Sequence, residues 1–241
     1  MDEFQKDTYD FIFSLFEDGI KRDKAVAMMR DIPGFYDELG SSLARAYHQA
    51  YRGGLADHTA LVCLDGYHSA LTKPYIGVER DDILLACLMH DFDKIGHYTQ
   101  SIPQIAHDDI EAVNFAGKYG LRNPEIQDGM LLAHGGWSKA KGVEHPAIAV
   151  YTHAADMLGS HVTRIKQGKP EKSKDTTRGL IRGVMKEIIK TKLSGTKING
   201  SCPVCKVNLT YDQSATESKK VECGSCNTKY LVRAGIILAV K

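Results

Sequence analysis

Residues 84–96 read L-L-A-C-L-M-H-D-F-D-K-I-G, an apolar run that ends in an adjacent His90 and Asp91 with Lys94 and Gly96 directly after. An imidazole beside a carboxylate is a natural anchor for a hard or borderline divalent cation, because nitrogen and oxygen donors together suit such ions. Further ligand-type residues lie on both sides: His58 upstream, and His107, His134 and Asp156 downstream. Asp91 closes a run apolar on all sides, so its charge needs compensation inside a fold, and a metal cation is the simplest source. A surface capping role would account for Asp91 but not for the histidine beside it.

The elements that must carry these residues read as helices. Residues 4–30 give two amphipathic helices interrupted at Gly19, Pro33-Gly34 gives a turn, and residues 37–48 give a short helix. Gly53-Gly54 breaks the chain before a periodic run over 55–71, which places His58 in the first turns of a helix; a plain helix-start histidine is the competing reading. Residues 81–90 form a buried helix with Asp81 and Asp82 at its start, where negative charge is favourable. Another helix starts around His107, and His134 ends a short apolar helix stopped by Gly135-Gly136. Pro146 opens a helix that puts His153 and Asp156 three residues apart on one face, and an aspartate in so apolar a helix is costly unless paired or metal-bound.

The whole chain bounds these readings. Its 241 residues suffice for one substantial domain and a small satellite. A net charge of +1 gives no overall field for nucleic acid or membrane. The acidic start M-D-E-F-Q-K-D is not a secretory signal, and no apolar run approaches the ~18 residues of a membrane span. Of six cysteines, four stand in two C-x-x-C pairs, a usage that fits metal binding in a reducing cytoplasm better than an oxidised scaffold.

The order His58, His90-Asp91, Asp156 resembles the H…HD…D pattern of the HD-domain metal-dependent phosphohydrolases. The local wording is similar too: G-G-L-A-D-H-T resembles the family's Gly-Gly-Leu-x-x-His-Thr segment, and H-D-F-D-K-I-G its His-Asp-x-x-Lys segment. The additional His107 and His134, the latter in L-L-A-H-G-G, resemble a binuclear sub-branch that includes the YhaM-type 3′-to-5′ exonucleases. Relatives there often have two adjacent histidines before the glycine, and this chain has only His134. The likeness spans residues 45–165, about half of the chain.

The resemblance implies a mainly α fold, an HD-domain helical bundle over residues 1–195. It implies that His58, His90, Asp91 and Asp156 bind a first metal and that Asp91 bridges to a second held by His107 and His134, one or two ions in all. Nitrogen-rich ligation favours manganese, iron, cobalt or nickel over magnesium. Asp91 and Lys94 are then the catalytic residues, Lys94 contacting a phosphate oxygen. The activity implied is hydrolysis of a phosphoester of a nucleotide or nucleic acid by metal-activated hydroxide. The alternatives are a 3′-to-5′ exonuclease or cyclic-nucleotide phosphodiesterase of the same chemistry, and a non-catalytic nucleic-acid-binding or adaptor protein with a structural metal site. Trp137 follows the His134 turn and either stacks on a base or packs in the core. His48, His68, His97, His145 and His161 have bland surroundings.

Two segments toward the C-terminus bear on the substrate. Residues 164–192 carry ten Lys or Arg against Glu171, Asp175 and Glu187. After a loop over 167–175, a helix over 176–193 sets Leu180, Ile181, Val184, Met185, Ile188 and Ile189 on one face and Arg178, Arg182, Lys186 and Lys190 on another. Arg182 and Lys186 are candidate phosphate contacts, with a solvated amphipathic face as the plain alternative. Residues 196–241 hold C-P-V-C (Cys202, Cys205) and C-G-S-C (Cys223, Cys226) within strand-like alternation, the pattern of a β zinc ribbon with one structural zinc; dithiol redox chemistry is the alternative. A module this small needs its metal to fold.

Overall fold

The computed structural model describes residues 1–32, 34–40, 49–74, 77–96, 109–135, 146–162, 170–194, 196–202, 204–205, 207–213, 219–233 and 236–239. Among them are helices α1 (Glu3–Ser14), α2 (Gly19–Asp31), α3 (Gly54–Thr72), α4 (Arg80–Met89), α5 (Asp109–Lys118), α6 (Pro124–Leu131), α7 (Pro146–Val162) and α8 (Pro170–Ser194). Strands β1 (Thr196–Ser201), β2 (Asn208–Gln213), β3 (Lys219–Glu222), β4 (Lys229–Arg233) and β5 (Ile236–Ala239) follow. The protein is mainly α, as the periodicity predicts, and no strand precedes β1 among the described residues. No helix among them is long and apolar enough to cross a membrane.

Local chemistry sets the helix starts. Asp2 accepts from the Gln5 amide at 3.0 Å while the Gln5 side chain accepts from the Asp2 amide at 3.1 Å, a reciprocal cap on α1. Asp18 caps α2, so the expected break at Gly19 is a helix start. Asn123 caps α6 ahead of Pro124, whose fixed φ suits a first helical position. Pro170 does the same for α8, which begins six residues before the expected 176: part of the stretch read as a loop forms the first turns of the helix.

The helix expected over 37–48 is absent from its described part. Phe35–Asp37 is a 3-10 turn, and the backbone beyond it bonds to other segments. The Glu38 carbonyl accepts from Leu55 N at 3.1 Å, and Gly40 N donates to the Gln49 carbonyl at 3.0 Å. Residues 41–48 lie outside the described set.

At the centre is α3, packed against α1, α4, α7 and α8. Every residue of α4 is buried, its acidic first turn included. Asp81 accepts from the amides of Glu17 and Asp18, and Asp82 pairs with Lys21 at 2.7 Å, so both carboxylates staple α4 to the α1–α2 connection. Helices approach closely at Gly129 on α6, where a Cβ would lie 2.5 Å from Ile148 Cγ2 and 2.6 Å from Ala86 Cβ. A glycine there lets α6 seat against α4 and α7 together.

The strands form two antiparallel sheets, β1-β2 and β3-β4-β5. The first hairpin closes at Ser201↔Asn208 and the second at Glu222↔Lys229, so each leaves a six-residue loop of the same length around one C-x-x-C pair.

Candidate metal centres

Three helices deliver one cluster. His58 comes from the N-terminal part of α3, His90 ends α4 with Asp91 directly after it, and Asp156 comes from within α7. His58 and His90 are fully buried, and Asp91 and Asp156 keep only 1% and 6% exposure. His58 Nε2 lies 3.1 Å from Asp156 Oδ1, 3.3 Å from Asp91 Oδ2 and 3.3 Å from His90 Nε2. His90 Nε2 lies 3.4 Å from Asp91 Oδ2 and 3.7 Å from Asp156 Oδ1. With metal bonds of about 2.1 Å, neighbouring ligands stand about 3.0 Å apart in an octahedron and about 3.4 Å apart in a tetrahedron. Four of the five separations fall within that interval and the fifth, 3.7 Å, lies just beyond it, so the donor set fits a divalent cation, and His58, His90 and Asp156 form a metal-competent group. His90 Nδ1 donates to the Cys87 carbonyl at 2.7 Å, which turns Nε2 toward the cluster.

Electrostatics say the same. Burial pushes His58 below the usual histidine range, although Asp156 and Asp91 pull the other way. Burial also opposes charge on His90, but Asp91 and Asp156 outweigh it and raise that group to about 10. Burial likewise works against ionised Asp91 and Asp156, yet the neighbouring imidazoles, and Lys94 in the case of Asp91, hold both carboxyls well below their usual range. Two buried carboxylates are thus balanced by the Lys94 ammonium and one proton on His90. A divalent cation can take over that proton's work, because the same atoms bind either.

The two oxygens of Asp91 face different partners. Oδ2 meets His58 and His90, while Oδ1 lies 3.1 Å from His134 Nε2. His134 sits in the turn after α6, shaped by the Gly135 amide bonding back to the Leu132 carbonyl at 2.9 Å. Lys94 does not reach outward: its ammonium is buried, donating to Asp91 Oδ2 at 2.6 Å and to the Gly40 carbonyl at 3.2 Å. His107 and Trp137 lie outside the described residues.

The basic stripe of α8 is partly internal. Arg178 pairs with Asp57 at 2.9 Å and with Asp2 at 2.6 Å, and its guanidinium lies 4.6 Å from the centre of the Phe4 ring. Arg182 and Lys186 are exposed, Arg182 over the same ring at 4.9 Å. No hydrogen bond or ion pair among the described residues ties either to the His/Asp cluster.

Sequence reasoning missed two supports. Asp57, beside His58, is buried and takes donors from Gln5, Tyr51 and Arg178, anchoring the start of α3 to α1 and α8. Glu38 is buried and accepts from Gly96 N at 2.8 Å, tying the turn after His90-Asp91 to the segment before α3. An acidic residue adjoining a candidate ligand was a signal for Asp57; nothing local marks Glu38.

The second centre is the four-cysteine group. Cys202 and Cys226 Sγ are 3.6 Å apart, as are Cys205 and Cys223 Sγ, and all four lie within 4.8 Å of one another. A disulfide would hold sulfurs at about 2.05 Å. Tetrahedral bonds of about 2.3 Å place them about 3.8 Å apart, close to what is seen. The two knuckles are built alike: Cys202 N donates to the Val207 carbonyl at 2.8 Å and Cys223 N to the Thr228 carbonyl at 2.9 Å, each five residues on.

Comparison with protein-family models, with curated proteins and with solved structures finds no match to this chain. What stands is a helical protein with two groups able to hold metal, one of histidine and aspartate and one of four cysteines.

Proposed function

We propose that the protein is an HD-type metal-dependent phosphohydrolase acting on a nucleotide phosphoester, with a C-terminal zinc ribbon. The observation that carries this is Asp91: one carboxylate faces His58 and His90 with Oδ2 and His134 with Oδ1. That split suits a carboxylate shared by two cation sites, the first completed by Asp156. Divalent ions bound there supply hydroxide at neutral pH and neutralise charge developing on phosphoryl oxygens. Of the metals suited to nitrogen-rich ligation, manganese, iron, cobalt and nickel come first.

The chain's own groups do the rest. His90 turns Nε2 to the cation from a position set by its Nδ1 bond to the Cys87 carbonyl, and His58 brings its Nε2 to the same two carboxylates from α3. His90 and Lys94 keep Asp91 ionised, the Lys94 ammonium held between Asp91 and the Gly40 carbonyl. Lys94, His134 and Asp156 keep 7%, 8% and 6% exposure while His58 and His90 keep none, so substrate approaches along that edge. One divalent cation in place of the His90 proton leaves the cluster with a net positive charge, which suits an anionic phosphate.

Arg178 is occupied by Asp57 and Asp2, which reduces the free charge on α8 and favours a small nucleotide over a polymer. The test is elemental analysis with a panel of mononucleotides, cyclic nucleotides and single-stranded DNA and RNA, run beside Asp91→Ala. Transition metal in the wild type, with mononucleotide turnover that falls at least about a thousandfold in the variant, is the expected result. Equal product release by both proteins would overturn the catalytic assignment.

A further inference from the structure

The turn that carries His134 is gripped from α7. His153, three residues before Asp156, has Nδ1 2.6 Å from the Ala133 carbonyl oxygen. A carbonyl only accepts, so Nδ1 carries a proton. The same ring fills the space a side chain at 135 would take: a Cβ on Gly135 would stand 2.5 Å from Cε1 and 2.9 Å from Nε2 of His153. Gly135 has φ of +56°, a conformation that tolerates glycine best. One side chain therefore fixes the residues on both sides of His134.

We propose that His153 is a positioning residue. It sets the 133–135 turn so that His134 Nε2 meets Asp91 Oδ1 at 3.1 Å, and it links the helix bearing Asp156 to the second oxygen of Asp91. The inference rests on reading the His/Asp cluster as a metal centre. A packing role would be met by any side chain of similar bulk, whereas the bond to Ala133 demands a donor.

Two variants separate these roles. His153→Asn keeps an N–H near the Nδ1 position, and His153→Leu keeps bulk without a donor. Each is compared with wild type by manganese titration, by kcat and KM on bis(p-nitrophenyl) phosphate, and by ring ¹⁵N spectra of the metal-free protein. His153→Leu should weaken manganese binding about 10- to 100-fold and lower kcat more than it raises KM, while His153→Asn stays within about threefold of wild type. The ring spectra should show the Nδ1–H tautomer at His153, with His134 signals shifted in His153→Leu and unshifted in His153→Asn. Wild-type behaviour of His153→Leu, equal losses in both variants, or an Nε2–H tautomer at His153 would each overturn the proposal. Absence of manganese binding by the wild type would overturn the metal-centre reading instead, and the ring spectra would then decide the role of His153.

Discussion

His90 is the residue on which the charge balance of the His/Asp cluster turns. In the metal-free protein its folded-state affinity for a proton, raised to about 10, exceeds that of an ordinary histidine at 6.5. A raised group contributes its full stabilisation below the unfolded value and loses it as pH climbs through the folded one. Asp91 and Asp156 act in the opposite sense, stabilising above 3.8 and losing that contribution as pH falls toward their depressed folded values. Chelator-treated protein should therefore lose thermal stability between pH 6.5 and 10, and a His90→Asn variant should lack this slope. Manganese should flatten the alkaline limb, since the cation replaces the proton. A metal-free melting temperature that stays level across that interval would contradict the assignment.

At the scale of elements, the centre depends on how closely α4, α6 and α7 approach. His90 rides on α4, Asp156 on α7, and the His134 turn leaves α6. Gly129 governs that approach, since any Cβ there would meet both Ala86 and Ile148 well inside contact distance. Gly129→Ala should cost about 1 to 3 kcal/mol by overpacking. It should also weaken manganese binding, because the strain is relieved by parting the helices that hold the ligands. Denaturant unfolding beside metal titration reads both effects; unchanged stability would mean that the interface yields without moving the site. The late start expected for α8 belongs to this scale too: a polar stretch with one proline reads as a linker until α8 is seen to use that proline as its first residue.

At the scale of the molecule, the two groups able to hold metal sit in two different constructions. The helices bury an extensive apolar core that includes Cys63 and Cys87, both inaccessible. Small antiparallel sheets flank the four-cysteine group, and modules of that size commonly need a bound ion to fold. Strong chelation should expose Cys202, Cys205, Cys223 and Cys226 to a thiol reagent while helical circular dichroism persists. Cys63 and Cys87 should react only when the helices unfold. Four thiols that react equally before and after chelation would argue against a bound metal.

The sequence by itself determined the helical character, the early position of His58 on its helix, the His90-Asp91 anchor and the two cysteine knuckles. Each is written in short-range spacing and in the physics of burying apolar faces and compensating buried charge. Only the tertiary structure decided that His58, His90, Asp91 and Asp156 meet within ligand distance, that His134 takes the second oxygen of Asp91, and that Lys94 turns inward. It also drew Arg178 away from the surface toward Asp57, and it placed His153 beneath the His134 turn. These outcomes join residues far apart in the chain, and they follow from helix packing that no local pattern encodes.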